Sequence, residues 1–330
     1  MTCDLSIIIV SWNTRDLLAA CLASLPTATE SLTCEIVVVD NASADGTPAM
    51  VTRDFPSVTL LETGSNLGFT RANNLALDRV VGQRVLLLNP DTVCPPSSLT
   101  RLVSCLDALP DAAAVGPSLT DENNHQTQSW GDFPRPWHHW RSVLDPSLCW
   151  LPRAWREVGL GRTADSAHHT QQEPDPTTGA VAVDYIKGAC LLMSRAALDK
   201  VGFLDDRFFM YFEETDWCRR ARDLGFSIHL CPDVTVQHLE GQATGLVSEF
   251  SMRQFQHSLR LYVAKHHGDK SVRSFRRAQR AEFRWKAFLR HLLPGAGHRA
   301  LGDQYTRIAD LQGQQDVAPS PPSSPNDPSQ

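Results

Sequence analysis

Five short, almost continuously apolar runs alternate with helix-length segments across residues 1–120, and few folds accommodate that pattern. Leu5–Ser11, Glu35–Asp40, Val58–Glu62, Val85–Asn89 and Ala113–Gly116 are rich in Val, Ile and Leu. A strand that is apolar at nearly every position, not every second one, is buried on both faces. The intervening segments Asp16–Leu25, Asp45–Asp54, Thr70–Val80 and Ser97–Leu109 read as helices. Strand–helix alternation of this kind predicts an α/β fold: a mostly parallel central sheet flanked by helices, joined by right-handed crossovers.

Composition sets the outer bounds. The chain has 330 residues, enough for one large α/β domain with appendages. Its net charge of −6 argues against a general nucleic-acid binder. The nine cysteines form no C-x-x-C pair, which reads as reduced thiols in a cytoplasmic protein without structural zinc. No apolar run approaches the ~20 residues needed to span a bilayer.

Beyond residue 120 the pattern loosens. Residues 120–183 hold Trp130, Trp137, Trp140, Trp150 and Trp155 with little periodicity, and Ala164–Thr178 reads as the loosest part. Val183–Ser194 has an apolar strand pattern, followed by a short helix near Arg195–Val201. Glu213–Leu224 and Glu249–His266 read as helices, Ser227–Leu230 and Val234–His238 as short strands. From Gly313 onward the Pro, Ser, Gln and Asp composition predicts disorder.

Four constellations carry candidate chemistry. The first lies at the carboxyl ends of the strands, where an open α/β sheet forms its ligand crevice. There the runs stop in Ser11-Trp12-Asn13, Asp40-Asn41-Ala42-Ser43 and Asn89-Pro90-Asp91. Thr14, Ser43 and Asp45 are equally suited to helix capping, whereas Asp40 and Asp91 directly follow buried runs. The second is Asn66-Leu67-Gly68-Phe69 with Arg71, Asn73 and Asn74, which offers donors for a diphosphate or sugar hydroxyls, or simply a turn opening a helix. In the third, Asp91 and His238, the latter preceding Gly241-Gln242-Ala243-Thr244-Gly245, form a pair suited to Mg2+ or Mn2+ if the fold unites them. The fourth is Phe208–Trp217, where Glu213, Glu214 and Asp216 follow five aromatic or apolar residues. Such a wall desolvates a carboxylate and suits a general base, although acids also favour any helix start.

Taken in order, Ile7–Asn13, Val37–Ser43 with Asp45-Gly46-Thr47, Asn66–Phe69, Asn89-Pro90-Asp91 and Phe208–Trp217 resemble glycosyltransferase family 2, and most of all its bacterial rhamnosyltransferase-like branch. The resemblance runs from about Leu5 to about Lys265 and implies the GT-A fold and inversion at the transferred anomeric carbon. It assigns Asp40 to the nucleotide base and Asp91 and His238 to a divalent metal, Mg2+ or Mn2+. It gives Glu214 to the general base, with Glu213 and Asp216 as rivals, while the residues themselves offer Asn13, Asn66, Gly68, Arg71, Asn74 and Asn89 to the donor. Two departures stand out: Asn89 replaces the first acid of the family's D-x-D element, and the acidic pair is Glu-Glu instead of Glu-Asp. The implied activity is transfer of a sugar, rhamnose from dTDP-rhamnose in the first instance, to a saccharide or lipid-linked saccharide in cell-surface polysaccharide synthesis. A nucleotidyltransferase and a non-catalytic nucleotide-sugar-binding module are the competing readings.

The resemblance also organises the chain. Residues 1–120 form the nucleotide-sugar-binding half, 121–248 the acceptor-side and catalytic half of the same domain, 249–312 C-terminal helices and 313–330 the disordered tail. Within 272–293, Arg273, Arg276, Arg277, Arg280, Arg284, Lys286 and Arg290 accompany Phe275, Ala278, Ala281, Trp285, Phe288 and Leu292 at helical spacing. A helix so composed suits peripheral contact with the inner face of an anionic membrane, or packing on the catalytic domain with its basic face in water.

Overall fold

The computed structural model describes residues 3–135, 173–239 and 249–311. The expected tail, the Gly241–Gly245 loop and Trp137, Trp140, Trp150 and Trp155 lie outside those residues. So does most of Ala164–Thr178, whose described end is a turn in which Asp175 Oδ1 accepts from the Thr177 and Thr178 amides at 3.0 and 2.8 Å. The described residues fall into two compact units, one of 3–133 and 173–239, the other of 134–135 and 249–311.

The first unit opens as the apolar runs predict. Strands β1 (Leu5–Ser11), β2 (Cys34–Asp40), β3 (Thr59–Glu62) and β4 (Arg84–Leu88) are joined by helices α1 (Arg15–Ala28), α2 (Thr47–Asp54) and α3 (Phe69–Leu77). All seven residues of β1 are buried, as a strand covered on both faces requires. Helix α1 places Leu18, Cys21, Leu22, Leu25 and Ala28 on its buried stripe, the 3.6-residue repeat of a helix laid on a sheet. The chain continues through β5 (Thr92–Val93), α4 (Ser98–Asp107), β6 (Ala112–Thr120) and β7 (Trp130–Gly131). After the second described segment begins, β8 (Val181–Ala182), β9 (Tyr185–Ile186), β10 (Cys190–Ser194), α5 (Arg195–Val201), α6 (Glu213–Asp223) and β11 (Ser227–His238) complete the unit.

The main sheet runs β3-β2-β1-β4-β10-β6-β11-β5, with β8 added to β11; β7 and β9 form a separate pair. Strands β3, β2, β1 and β4 are mutually parallel. β10 is antiparallel to both β4 and β6, so the sheet is mixed at its centre. Two boundaries differ from the sequence reading. Val183–Ser194 is not one strand: Asp184, Lys187 and Gly188 interrupt it, leaving β9 and β10. Ser227–His238 is one strand, not two, because the register with β6 shifts between Cys231 and Thr235 and absorbs Pro232 and Asp233. Cys105 on α4 and Cys231 on β11 bring their sulfurs together across a sequence separation of 126 that no local spacing could reveal.

The second unit contains α7 (Glu249–His267), α8 (Asp269–His291) and α9 (Ala296–Leu311). Phe283 of α8 meets Ile308 and Ala309 of α9 in a small core flanked by Met252 and Tyr305. No helix among the described residues is long and apolar enough to cross a membrane.

Candidate active site

Sheet register brings the first pair of site residues together. The β5–β11 ladder sets His238 opposite Thr92, and the Leu239 amide donates to the Asp91 carbonyl at 2.9 Å. His238 Nε2 therefore lies 3.2 Å from Asp91 Oδ1 and 3.4 Å from Asn89 Nδ2, although 149 residues separate His238 from Asn89. The Asp91 contact is not aligned as a hydrogen bond, and the buried Oδ1 has no hydrogen-bond partner. Helix α1 supports the turn from below, with Cys21 Sγ 3.5 Å from Thr92 Oγ1. Among the described residues no group of three or more His, Cys, Asp or Glu side chains converges. One carboxylate and one imidazole nevertheless fit a hard cation that draws its other ligands from substrate phosphate and water.

The ends of β1 and β2 are tied to each other. The Asn13 amide donates to Ser43 Oγ at 2.9 Å, and its side-chain oxygen accepts from the Ala44 amide at 2.8 Å. The buried Asn13 Nδ2 is left without a partner. Asp40 Oδ2 accepts from the Ser43 amide at 3.0 Å, while its buried Oδ1 is likewise unmatched. A buried donor or acceptor left unmatched is costly in a closed core and is satisfied by a polar ligand. Asp45 ties the starts of two helices, accepting from the Thr47 and Arg15 amides, whereas Thr14, the N-cap of α1, makes no side-chain cap bond.

The second constellation behaves differently from its sequence reading. Asn66 Oδ1 accepts from Asn41 Nδ2 at 2.8 Å and from the Gly68 amide at 3.0 Å. Asn74 uses both ends of its carboxamide on Leu204, accepting from its amide at 3.1 Å and donating to its carbonyl at 2.8 Å. Arg71 lies 3.7 Å from Asp206 in an exposed pair. Asn74 is therefore not open to a diphosphate: its side chain holds the segment leading to the acidic cluster. Asn41, which the sequence places in a strand-end stop without a role of its own, is the hub, since its Oδ1 also accepts from the Leu67 amide at 2.9 Å.

The acidic cluster begins with strain. Tyr211 and Phe212 have φ of 69° and 70°, left-handed conformations that cost non-glycine residues roughly 1–3 kcal/mol each. They turn the chain abruptly into α6, so that Glu213, Glu214 and Asp216 all fall in its first turn. Their environments then diverge. Asp216 is fully buried and paired with Arg220 Nε at 2.9 Å, and Arg220 also donates to the Val201 and Phe203 carbonyls. This ion pair braces the helix and leaves Asp216 ill suited to proton transfer, which corrects its standing as a rival base. Burial, then the Glu214 charge, pushes the Glu213 carboxyl well above the usual carboxylate range. Burial also raises Glu214, opposed by backbone amides and by the Lys187 ammonium. Glu213 Oε2 and Glu214 Oε2 are buried without hydrogen-bond partners, but Glu213 is the more enclosed residue.

Tyr185 and Lys187 border this carboxylate and were missed in the sequence, where they sit inside what reads as one strand. Tyr185 faces Gly131 across the β7–β9 pair, where a Cβ would meet the Tyr185 hydroxyl at 2.5 Å. Burial, then the Glu214 charge, pushes its phenol upward.

A model of Glycosyl transferase family 2 matches residues 6–158. The chain is 30% identical over 281 residues to the N-acetylglucosaminyl-diphospho-decaprenol L-rhamnosyltransferase of Mycobacterium tuberculosis, covering 81% of this chain and 86% of that one. The chain belongs to glycosyltransferase family 2. It is also 22% identical over 223 residues to the dTDP-rhamnosyl transferase RfbF of Shigella flexneri, covering 67% of this chain and 64% of that one. The solved mannosyltransferase PcManGT of Pyrobaculum calidifontis, in complex with GDP-Man and Mn2+, matches with a TM-score of 0.55 at 17% identity, over 94% of this chain and 85% of that one. That likeness bears out the GT-A fold. The family 2 enzyme is a rhamnosyltransferase-like glycosyltransferase of cell-surface glycan synthesis, not a nucleotidyltransferase or a non-catalytic module.

Proposed function

We propose that this glycosyltransferase moves a rhamnosyl unit from dTDP-rhamnose to a hydroxyl of a lipid-diphosphate-linked N-acetylglucosamine, with inversion. The names of the Mycobacterium and Shigella relatives supply the acceptor and donor classes. Residues 1–120 take the donor and 121–248 the acceptor. The observation that carries the mechanism is Glu214: a carboxylate with an unpartnered Oε2 and a raised pKa, at the first turn of a helix set by a strained entry.

In this reading Asp40 Oδ1 and Asn13 Nδ2, an unmatched acceptor and an unmatched donor near the ends of β2 and β1, receive the polar edges of the nucleotide. Asp91 and His238, with Asn89 beside them, would hold Mg2+ or Mn2+ against the diphosphate. When bound, the cation supplies positive charge to the leaving group. Glu214 accepts the proton of the acceptor hydroxyl as that oxygen bonds to the anomeric carbon. The bond from that carbon to the diphosphate breaks on the opposite face, and dTDP departs with its electron pair. Holding the two substrates in line removes much of the entropic barrier. No covalent bond to the protein forms.

The test is Glu214→Gln assayed with dTDP-rhamnose and N-acetylglucosaminyl-diphospho-prenol. Donor binding should survive while transfer falls by about 10²–10⁴-fold, the usual contribution of a general base. Retained turnover would remove Glu214 from the role.

A lipid-linked acceptor gives the second unit a purpose at the inner face of the cell membrane, and α8 has the surface for it. Along it Phe275 and Ala278 are buried, while Trp285, Phe288 and, just past its end, Leu292 are 39%, 54% and 64% exposed. Arg273, Arg277, Arg280 and Arg284 are exposed beside them at i, i+4, i+7 and i+11. Aromatic side chains flanked by cations match the acyl boundary and headgroups of an anionic bilayer.

A further inference from the structure

We propose that Asn74 and Gly68 are positioning residues for the general base, acting by clamping the Leu204–Phe212 segment that delivers Glu213 and Glu214. The inference rests on the base reading above, and it gives the Asn66–Asn74 motif a role other than donor contact. Three attachments join α3 to that segment. Asn74 makes its two-way pair with the Leu204 backbone, the Phe69 amide donates to the Phe209 carbonyl at 2.7 Å, and Arg71 approaches Asp206. Gly68 makes the closest approach. A Cβ there would lie 2.6 Å from both the Phe209 carbonyl oxygen and its ring, and its φ of 82° is itself a glycine conformation.

The clamp explains how a strained turn persists. Tyr211 and Phe212 hold left-handed conformations two and three residues after Phe209, and such conformations survive only where the surroundings over-determine them. With Leu204 and Phe209 fixed at one end and the α6 helix fixed by Asp216–Arg220 at the other, the five residues between Phe208 and Glu214 have little freedom left. The clamp also reaches the donor crevice. Asn41, next to Asp40 at the end of β2, holds Asn66, Leu67 and the Gly68 carbonyl. The base is thus referenced to the same strand end as the nucleotide.

The experiment compares Asn74→Ala, Asn74→Asp and Gly68→Ala with the intact chain, using dTDP-rhamnose and N-acetylglucosaminyl-diphospho-prenol. A base displaced by an ångström should lower kcat about 10–100-fold, with donor KM unchanged within about twofold. Loss of its apolar setting should also move the acidic limb of the kcat–pH profile downward. Asn74→Asp keeps the acceptor half of the clamp but sets a carboxylate oxygen against the Leu204 carbonyl, so it should fall at least as far as Asn74→Ala. Hydrogen–deuterium exchange of the peptide 204–212 should quicken in the same order, a readout that needs no substrate. A raised donor KM with an unmoved pH limb would overturn the proposal, since that is the signature of a donor ligand. Unchanged exchange would overturn it as well. Glu214→Gln run in parallel separates the two readings: transfer retained there faults the choice of base, whereas an unmoved limb in the Asn74 variants faults the clamp.

Discussion

Three acids within four residues look interchangeable in the sequence and are not so in the structure. Asp216 turns to Arg220 and is spent on a buried ion pair. Asp216→Ala removes a charge-assisted bond from Arg220, which stays partly exposed and keeps two backbone carbonyls, so it should destabilise the protein by ~1.5–3 kcal/mol, and chemical denaturation would measure it. Stability unchanged within experimental error would mean that the pair contributes nothing. Glu213 and Glu214 remain, both raised by burial. A base works ionised, so kcat should fall as pH drops through a value above the ordinary glutamate range, and a kcat–pH profile would locate it. The sign for stability is the reverse. A carboxyl raised in the folded state favours folding while protonated, and that contribution fades as pH rises through the folded-state value. Asp91 is argued on different grounds, its proximity to His238 and its unmatched Oδ1. Asp91→Ala should weaken donor binding in the presence of Mn2+ and leave metal-free binding little changed; identical metal titrations would count against the assignment.

At the scale of elements, β11 and α8 show what a linear reading can and cannot separate. The histidine at the end of β11 is conspicuous in the sequence, but its partner is chosen by an antiparallel ladder to a two-residue strand. Nothing in the composition of Thr92–Val93 announces that ladder. In α8 the apolar repeat is legible, yet its burial changes along the helix. Phe275 and Ala278 in its first half are buried, whereas Trp285 and Phe288, and Leu292 just past its end, are exposed. Replacing Trp285 and Phe288 with serine should leave the fold intact. Each large side chain withdrawn from water is worth ~1.5–3 kcal/mol, so binding to anionic phospholipid vesicles should drop at least about tenfold. Flotation at equal levels would show that this face does not meet the bilayer.

For the whole molecule, the balance of charge is a poor guide to its parts. A net −6 argues against a general nucleic-acid binder but conceals the cationic strip on α8. Vesicle binding, driven partly by about 1 kcal/mol per basic residue near an anionic surface, should decline with ionic strength, and flotation across a salt series would read it. Salt-independent binding would leave only the apolar contribution. The architecture itself was legible because both-face burial writes itself into consecutive residues: β1, β2 and β4 appear in the chain as unbroken Val, Ile and Leu runs. The order of polar stops after those runs pointed to the family, since each stop is a local signal in a fixed sequence. What the chain could not declare was pairing at a distance. His238 with Asp91, Asn74 with Leu204, Gly68 with Phe209 and Asp216 with Arg220 each depend on where the backbone returns. A carboxamide or carboxylate reads the same in sequence whether it faces a ligand or a carbonyl. Only the tertiary structure decided which, because hydrogen bonds and burial are set by neighbours in space and not by neighbours in the chain.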